Sequence, residues 1–166
     1  MLDTFYRVLT NLIYLVPLAV RRFKAKEPGS QVLAAGATKA RRLDEDSAEI
    51  QYEAGWITAR RGALILTQDK LVCGSWQILL SNISHATLLR TTAFLARALV
   101  LKVSTTDGQH YQFGLQYDPA WENQTALRLS ITDGKIKYSK FSVAMRVILG
   151  IALVVWLIRL VVRWLG

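Results

Sequence analysis

The chain has 166 residues, a formal net charge of +9, one cysteine and two histidines, and 52% of it is hydrophobic. One cysteine excludes an intrachain disulfide, and two histidines are too few for a His-based metal site. Residues 1–42 hold eight Lys/Arg against two acids, 43–134 seven against ten, and 135–166 six against none. The stretch long enough to fold as a domain is mildly acidic, which argues against nucleic acid as a partner.

Residues 1–24 read as a membrane-associated helix. Leu12 to Val20 is continuous apolar sequence with Pro17 inside it, while Asp3, Arg7 and Asn11 interrupt the first half. Those three fall at i, i+4 and i+8, so on a helix they share one face. Such a helix lies in the interface plane, or spans with its polar side turned toward headgroups, its own second helix or foreign helices. A cleaved signal peptide fits less well, because Arg21, Arg22, Phe23 and Lys24 follow the apolar run where a cleavage site would need small residues. From 25 to 48 the composition turns to Ala, Gly, Lys and Arg, with Pro28-Gly29-Ser30 and the acidic Asp44-Glu45-Asp46. That stretch has no sustained apolar period and reads as a linker with at most a short helical turn.

The folded part, 49–134, reads as antiparallel β. Tyr111, Phe113, Leu115 and Tyr117 alternate with His110, Gln112, Gly114 and Gln116, a strict period of two. Asp107-Gly108 joins this strand to Ala98–Ser104 through a tight turn. Further strands are predicted at Ile50–Trp56, Ala63–Thr67, Leu71–Gly74, Trp76–Leu80 and His85–Thr91, about seven short strands in all. Asp118-Pro119 then starts a helix as N-cap and first helical residue, with Trp121, Ala126, Leu129 and Ile131 along it and Asp133-Gly134 as its stop.

At the far end, Val147 to Ile158 is an uncharged apolar run that continues beyond Arg159 as Leu160-Val161-Val162. Val143 to Val162 supplies the roughly 20 residues a transmembrane helix needs. Arg146 and Arg159 lie near its ends, where long side chains snorkel to the headgroups, and Trp156 and Trp164 suit the aromatic belt. The segment 141–166 is therefore expected to span. Arg21, Arg22, Lys24 and Lys26 follow one apolar end, and Lys135, Lys137 and Lys140 precede the other. These seven are the expected membrane-surface contacts, and they hold the β-domain on the cytoplasmic side. If both ends span, Asp3 and Arg159 reach the same depth, about 25 Å along their helices. Antiparallel packing would then pair Asp3 with Arg159 or Arg163; otherwise each reaches the far headgroups independently.

The stretch Gly62-Ala-Leu-Ile-Leu-Thr-Gln-Asp-Lys-Leu-Val72, followed by Ile78-Leu-Leu-Ser-Asn-Ile83, resembles the GRAM and bacterial PH-like domains. These carry a G-x-L-x-L-T-x-x-x-L hairpin and a later I-x-L-x-x-I strand and turn. The similarity covers Glu49 to Thr132. It implies a PH-like bent antiparallel barrel of about seven strands with a C-terminal capping helix, used as a membrane-proximal binding or scaffolding module. The chain lacks a dense basic cluster in the first hairpin. Only Arg60 and Arg61 stand before Gly62, as candidates for a phosphate contact against the alternative of a solvated turn.

Little else suggests chemistry. His110 lies on a polar strand face, and His85 has no acidic neighbour in sequence. Cys73 sits in an apolar strand as a small core residue, and no Gly-rich phosphate loop is present. Trp56, Trp76, Tyr111, Phe113 and Trp121 read as core or helix-docking residues. The expectation is a non-catalytic, cofactor-free, membrane-anchored module whose partners are lipids and a membrane or membrane-proximal protein. The alternatives are a subunit or assembly factor of a larger membrane complex and, more weakly, a small hydrolase.

Overall fold

Alternation decides most of the architecture. In the computed structural model, which describes residues 2–44, 51–52, 59–93, 96–134, 137–138 and 156, the alternating segments form strands close to the expected bounds. Two helices come first, α1 (Leu2–Ile13) and α2 (Val16–Lys26). Then follow β1 (Val32–Leu43), β2 (Gln51–Tyr52), β3 (Arg60–Thr67), β4 (Lys70–Cys73), β5 (Trp76–Leu79), β6 (Ile83–Ala93), β7 (Ala96–Thr105) and β8 (His110–Gln116). A short helix α3 (Pro119–Asn123), β9 (Ser130–Asp133) and β10 (Lys137–Tyr138) close the chain's described order.

Eight of the strands make one sheet in the order β5-β4-β3-β1-β8-β7-β6-β9, and β10 pairs with β2 separately. The sheet is mixed and not closed, because β9 runs parallel to β6 and is not bonded to β5. It nevertheless curls strongly. Trp76 on β5 and Tyr111 on β8 bring their ring centroids to 5.4 Å. Across a flat sheet these strands would stand about 19 Å apart, four spacings of about 4.8 Å. The curl wraps one core, in which Leu64, Leu66, Leu88, Leu99, Leu101 and Phe113 are fully buried.

The motif that resembles PH-like domains forms the β3–β4 hairpin. Its threonine fastens the turn: Thr67 Oγ1 donates to Asp69 Oδ1 at 2.7 Å and accepts from the Lys70 N–H at 3.1 Å. Asp107-Gly108 makes the predicted β7–β8 turn, with Gly108 at φ 75°.

Three expectations need correction. Residues 25–48 are not a linker, since β1 occupies Val32–Leu43 at the middle of the sheet. It pairs with β3 through Val32–Ala40 and with β8 through Thr38–Leu43. Its Ala, Gly and Thr composition hides a strand covered on both faces. Inside, a Cβ on Gly36 would stand 3.5 Å from the Trp121 indole nitrogen; outside, Ala37 is buried beneath α1. Small residues are what such a doubly covered strand admits. The β-domain therefore begins at Val32, not at residue 49.

The helix after Asp118 is also shorter than expected. Asp118 caps it, accepting from Ala120 N at 3.0 Å, but it ends at Asn123. The Gln124 side chain then clips the Leu127 backbone, accepting from its N–H at 2.8 Å and donating to its carbonyl at 2.9 Å. This turns the chain into β9, so Ile131 lies exposed on a strand rather than on a helical stripe. What α3 does is bury Trp121 at the core.

The first apolar segment is not one helix. It breaks at Leu15, which adopts φ 53°, ψ 37°, just before Pro17 in the first turn of α2. Among the described residues no helix is long and apolar enough to cross a membrane. Trp156 is helical and exposed, while the rest of 141–166 lies outside the described residues, including Arg146, Arg159, Arg163 and Trp164. Trp56, Lys135 and Lys140 lie outside them as well.

Candidate functional site

The polar stripe of α1 is a docking stripe. Asp3 accepts from the backbone N–H of Arg97 at 2.9 Å and from its Nε at 2.8 Å. One turn on, Arg7 Nη1 meets Asp118 Oδ1 at 2.9 Å. A further turn on, Asn11 Oδ1 accepts from the Ala37 N–H at 2.9 Å, on the side of β1 that β8 no longer covers. The stripe thus faces the chain's own β-domain, through Arg97, Asp118 and Ala37. Among the described residues Asp3 is engaged by Arg97, and its expected partners Arg159 and Arg163 lie outside them. The carboxyl of Asp3 is held below its usual range, first by the Arg97 N–H and then by the guanidinium.

Docking by the polar side turns the apolar side outward. Phe5, Val8, Leu9 and Leu12 lie at helical spacing along one face, and with Ile13, Leu15 and Leu18 they are between 39% and 67% exposed. Apolar residues this dense on one surface mark an interaction face rather than the scattered exposure normal on a protein surface. Arg21, Arg22, Lys24 and Lys26, all exposed, follow directly on α2. Apolar contact and positive charge therefore adjoin on one helix pair. Lys137, from the second basic cluster, is on β10.

Val16 and Phe23 turn inward and hold α2 against the sheet. Beside them opens a cleft of about 270 Å³, lined by Arg22 and Lys26 of α2 and by Arg60, Arg61 and Gly74 of the β3–β4 region. Arg60 is fixed in place: its Nη1 donates to Ser75 Oγ at 2.7 Å and its guanidinium stacks 4.6 Å from the Trp76 ring centroid. Gly74, at φ 61°, takes the left-handed conformation that favours glycine, and the Arg60 side chain passes in ordinary contact, 3.5 Å from where a Cβ would be. Glu27 also lines the cleft but is held by Lys70 at 2.8 Å. Lys39 stands opposite Arg61 in the sheet register, and its ammonium is pushed below its usual range by burial and by the Arg61 charge. Arg60 and Arg61 are thus brought together with Arg22 and Lys26, a pairing with no signal in sequence spacing.

No protein-family model matches this chain, and no curated protein matches it either. The geometry of the chain itself carries the functional reading.

The remaining candidates are spread out. His85 is exposed, with Nε2 2.9 Å from Thr87 Oγ1, and His110 Nδ1 lies 2.9 Å from Ser104 Oγ. Cys73 is buried, and burial pushes its thiol up to about 11 against the lowering effect of Arg60. Trp76 and Tyr111 pack on the core and Phe113 and Trp121 are within it. Among the described residues no three His, Cys, Asp or Glu gather as a metal site. The docking partners Arg97 and Asp118 were not foreseen as such; Asp118 was legible only as an N-cap.

Proposed function

We propose that this chain is a membrane-surface binding module: a curled β-domain of PH-like type that rides on lipid through α1 and the start of α2. The observation that carries this reading is the outward apolar face from Phe5 to Leu18, continuous with the basic residues of α2. An amphipathic helix of this kind sinks its apolar side about 5–10 Å into the boundary between headgroups and acyl chains. Each basic residue near an anionic leaflet adds about 1 kcal/mol. The polar stripe has another use here, as the joint that keeps the β-domain against the helix. The segment 141–166 supplies a spanning anchor, and both basic clusters place the β-domain on the cytoplasmic side. The module binds and positions rather than reacts, with lipid on one side and a membrane or membrane-proximal protein as its further partner. Seven strands in two consecutive meanders, followed by a helix, support the PH-like assignment.

A nitroxide at position 12 (Leu12→Cys in a Cys73→Ala background) tests the surface reading. In vesicles of the full chain it is expected to be accessible to oxygen and shielded from a water-soluble nickel chelate, with a label at Lys24→Cys showing the reverse. An aqueous signal at position 12 would overturn the reading.

A further inference from the structure

The cleft between α2 and the β3–β4 region has a surplus of positive charge that the fold does not use. Glu27 is neutralised by Lys70, so Arg22, Lys26, Arg60 and Arg61 surround the opening with no carboxylate partner among the described residues. Like charges brought together in this way are unfavourable unless something anionic offsets them, and Lys39 beside Arg61 adds to the cost. All four are exposed, where long side chains ordinarily spread apart. Arg60 is instead held by Ser75 and Trp76, so its guanidinium is oriented before any ligand arrives. A fixed planar guanidinium suits phosphate, which it meets with two parallel hydrogen bonds.

We propose that this cleft binds a dianionic phosphomonoester group, supplied by the headgroup of an acidic lipid in the surface on which the helices rest. Two of the four cations, Arg22 and Lys26, come from α2, outside the stretch that resembles PH-like domains. At about 270 Å³ the cleft falls just below the ~300–1,000 Å³ typical of sites for drug-sized ligands, a size that suits a headgroup rather than an acyl chain. Its position fits as well. Leu18, on the apolar face, stands one helical turn before Arg22, a rise of about 6 Å. A lipid whose chains lie beside Leu18 therefore has its phosphate within reach of the cleft. A phosphodiester headgroup carries one negative charge on its phosphate and uses fewer of the four donors, so the site discriminates by charge at the phosphate.

The inference rests on the membrane-surface reading, and its test is independent of the depth measurement at position 12. The full chain is purified in uncharged detergent, mixed with micelles containing equal amounts of phosphatidic acid and phosphatidylserine, and the retained lipid is read by native mass spectrometry. Retention of phosphatidic acid over phosphatidylserine by about tenfold is expected, the scale of one or two additional charge-assisted hydrogen bonds. Arg22→Gln with Arg61→Gln should abolish that preference, and Arg42→Gln with Arg128→Gln, exposed basic residues that do not line the cleft, should leave it intact. Equal retention of the two lipids, or equal loss in both double variants, would overturn the proposal in favour of diffuse surface charge. Added millimolar inorganic phosphate separates the sources. Displacement of phosphatidic acid identifies a site for the phosphate group alone, and its persistence identifies the lipid. Failure of the label at position 12 to enter lipid, with phosphatidic acid still selected, would overturn the surface reading and leave the cleft standing.

Discussion

Asp3 and Arg97 are 94 residues apart and are joined twice, through the Arg97 backbone N–H and through its side chain. The backbone bond matters because Arg97 is near the start of β7, so α1 is tied to the sheet itself and not only to a mobile side chain. Arg97 also lies 3.9 Å from the Tyr117 ring centroid, which orders the guanidinium that receives the helix.

Acid should loosen this joint. Because the folded carboxyl of Asp3 titrates below its ordinary value of 3.8, its contribution is present above that value and is lost as pH falls through the lower folded pKa. A spin-label distance between α1 and the β-domain is expected to hold at pH 5 and to lengthen below pH 3.8. In Asp3→Ala that acid step should disappear. An identical acid midpoint in the variant would show that another group governs undocking.

Removing residues 1–42 should abolish folding rather than release a soluble domain. The deletion takes out nearly all of β1, and with it the strand that pairs with both β3 and β8. The sheet loses a central strand, while a whole domain typically has only ~5–15 kcal/mol in reserve. Circular dichroism on heating is expected to show no cooperative transition for 43–136. A sharp transition would mean that β3 and β8 can pair without β1.

Trp121→Ala should be among the most costly single changes. The residue is 1% exposed in the core and fills the space over Gly36. A loss of about 3–5 kcal/mol is expected from chemical denaturation, the usual range for removing a buried aromatic side chain. Gly36→Ala should be mild, since its methyl group would sit at 3.5 Å, ordinary contact distance. Gly36→Leu should approach the cost of losing Trp121 by forcing it out.

Cys73 offers a readout of global opening. Its thiol is raised to about 11 from 9.0, so it stays protonated and buried in the folded chain at neutral pH. Alkylation at pH 8 should be slow in the native protein and fast in denaturant. Since unfolding releases a more acidic thiol, stability should fall as pH rises from 9 to about 11, by roughly 2–3 kcal/mol from this group. Cys73→Ala should flatten that part of the pH profile. Equal alkylation rates in native and unfolded chains would contradict the burial.

Strict alternation was enough to read β8, Asp107-Gly108 led from it to β7, and Asp118 announced the cap of α3, because these signals depend on neighbours a few residues away. β1 escaped notice for a physical reason: a strand covered on both faces, by Trp121 inside and α1 outside, needs small side chains, and Ala-Gly-Ala-Thr carries no amphipathic period. Asp3, Arg7 and Asn11 were legible as one helical face, since that follows from 3.6 residues per turn. Their partners were not. Arg97, Asp118 and the Ala37 N–H come to that face only through long-range strand order, which no local pattern encodes. The same holds for the cleft, where Arg22 and Lys26 meet Arg60 and Arg61 because Phe23 and Val16 seat α2 on the sheet. Local chemistry determined the hairpin turns, the α3 cap and the sidedness of α1, while tertiary packing decided that its polar side turns inward and its apolar side stays exposed.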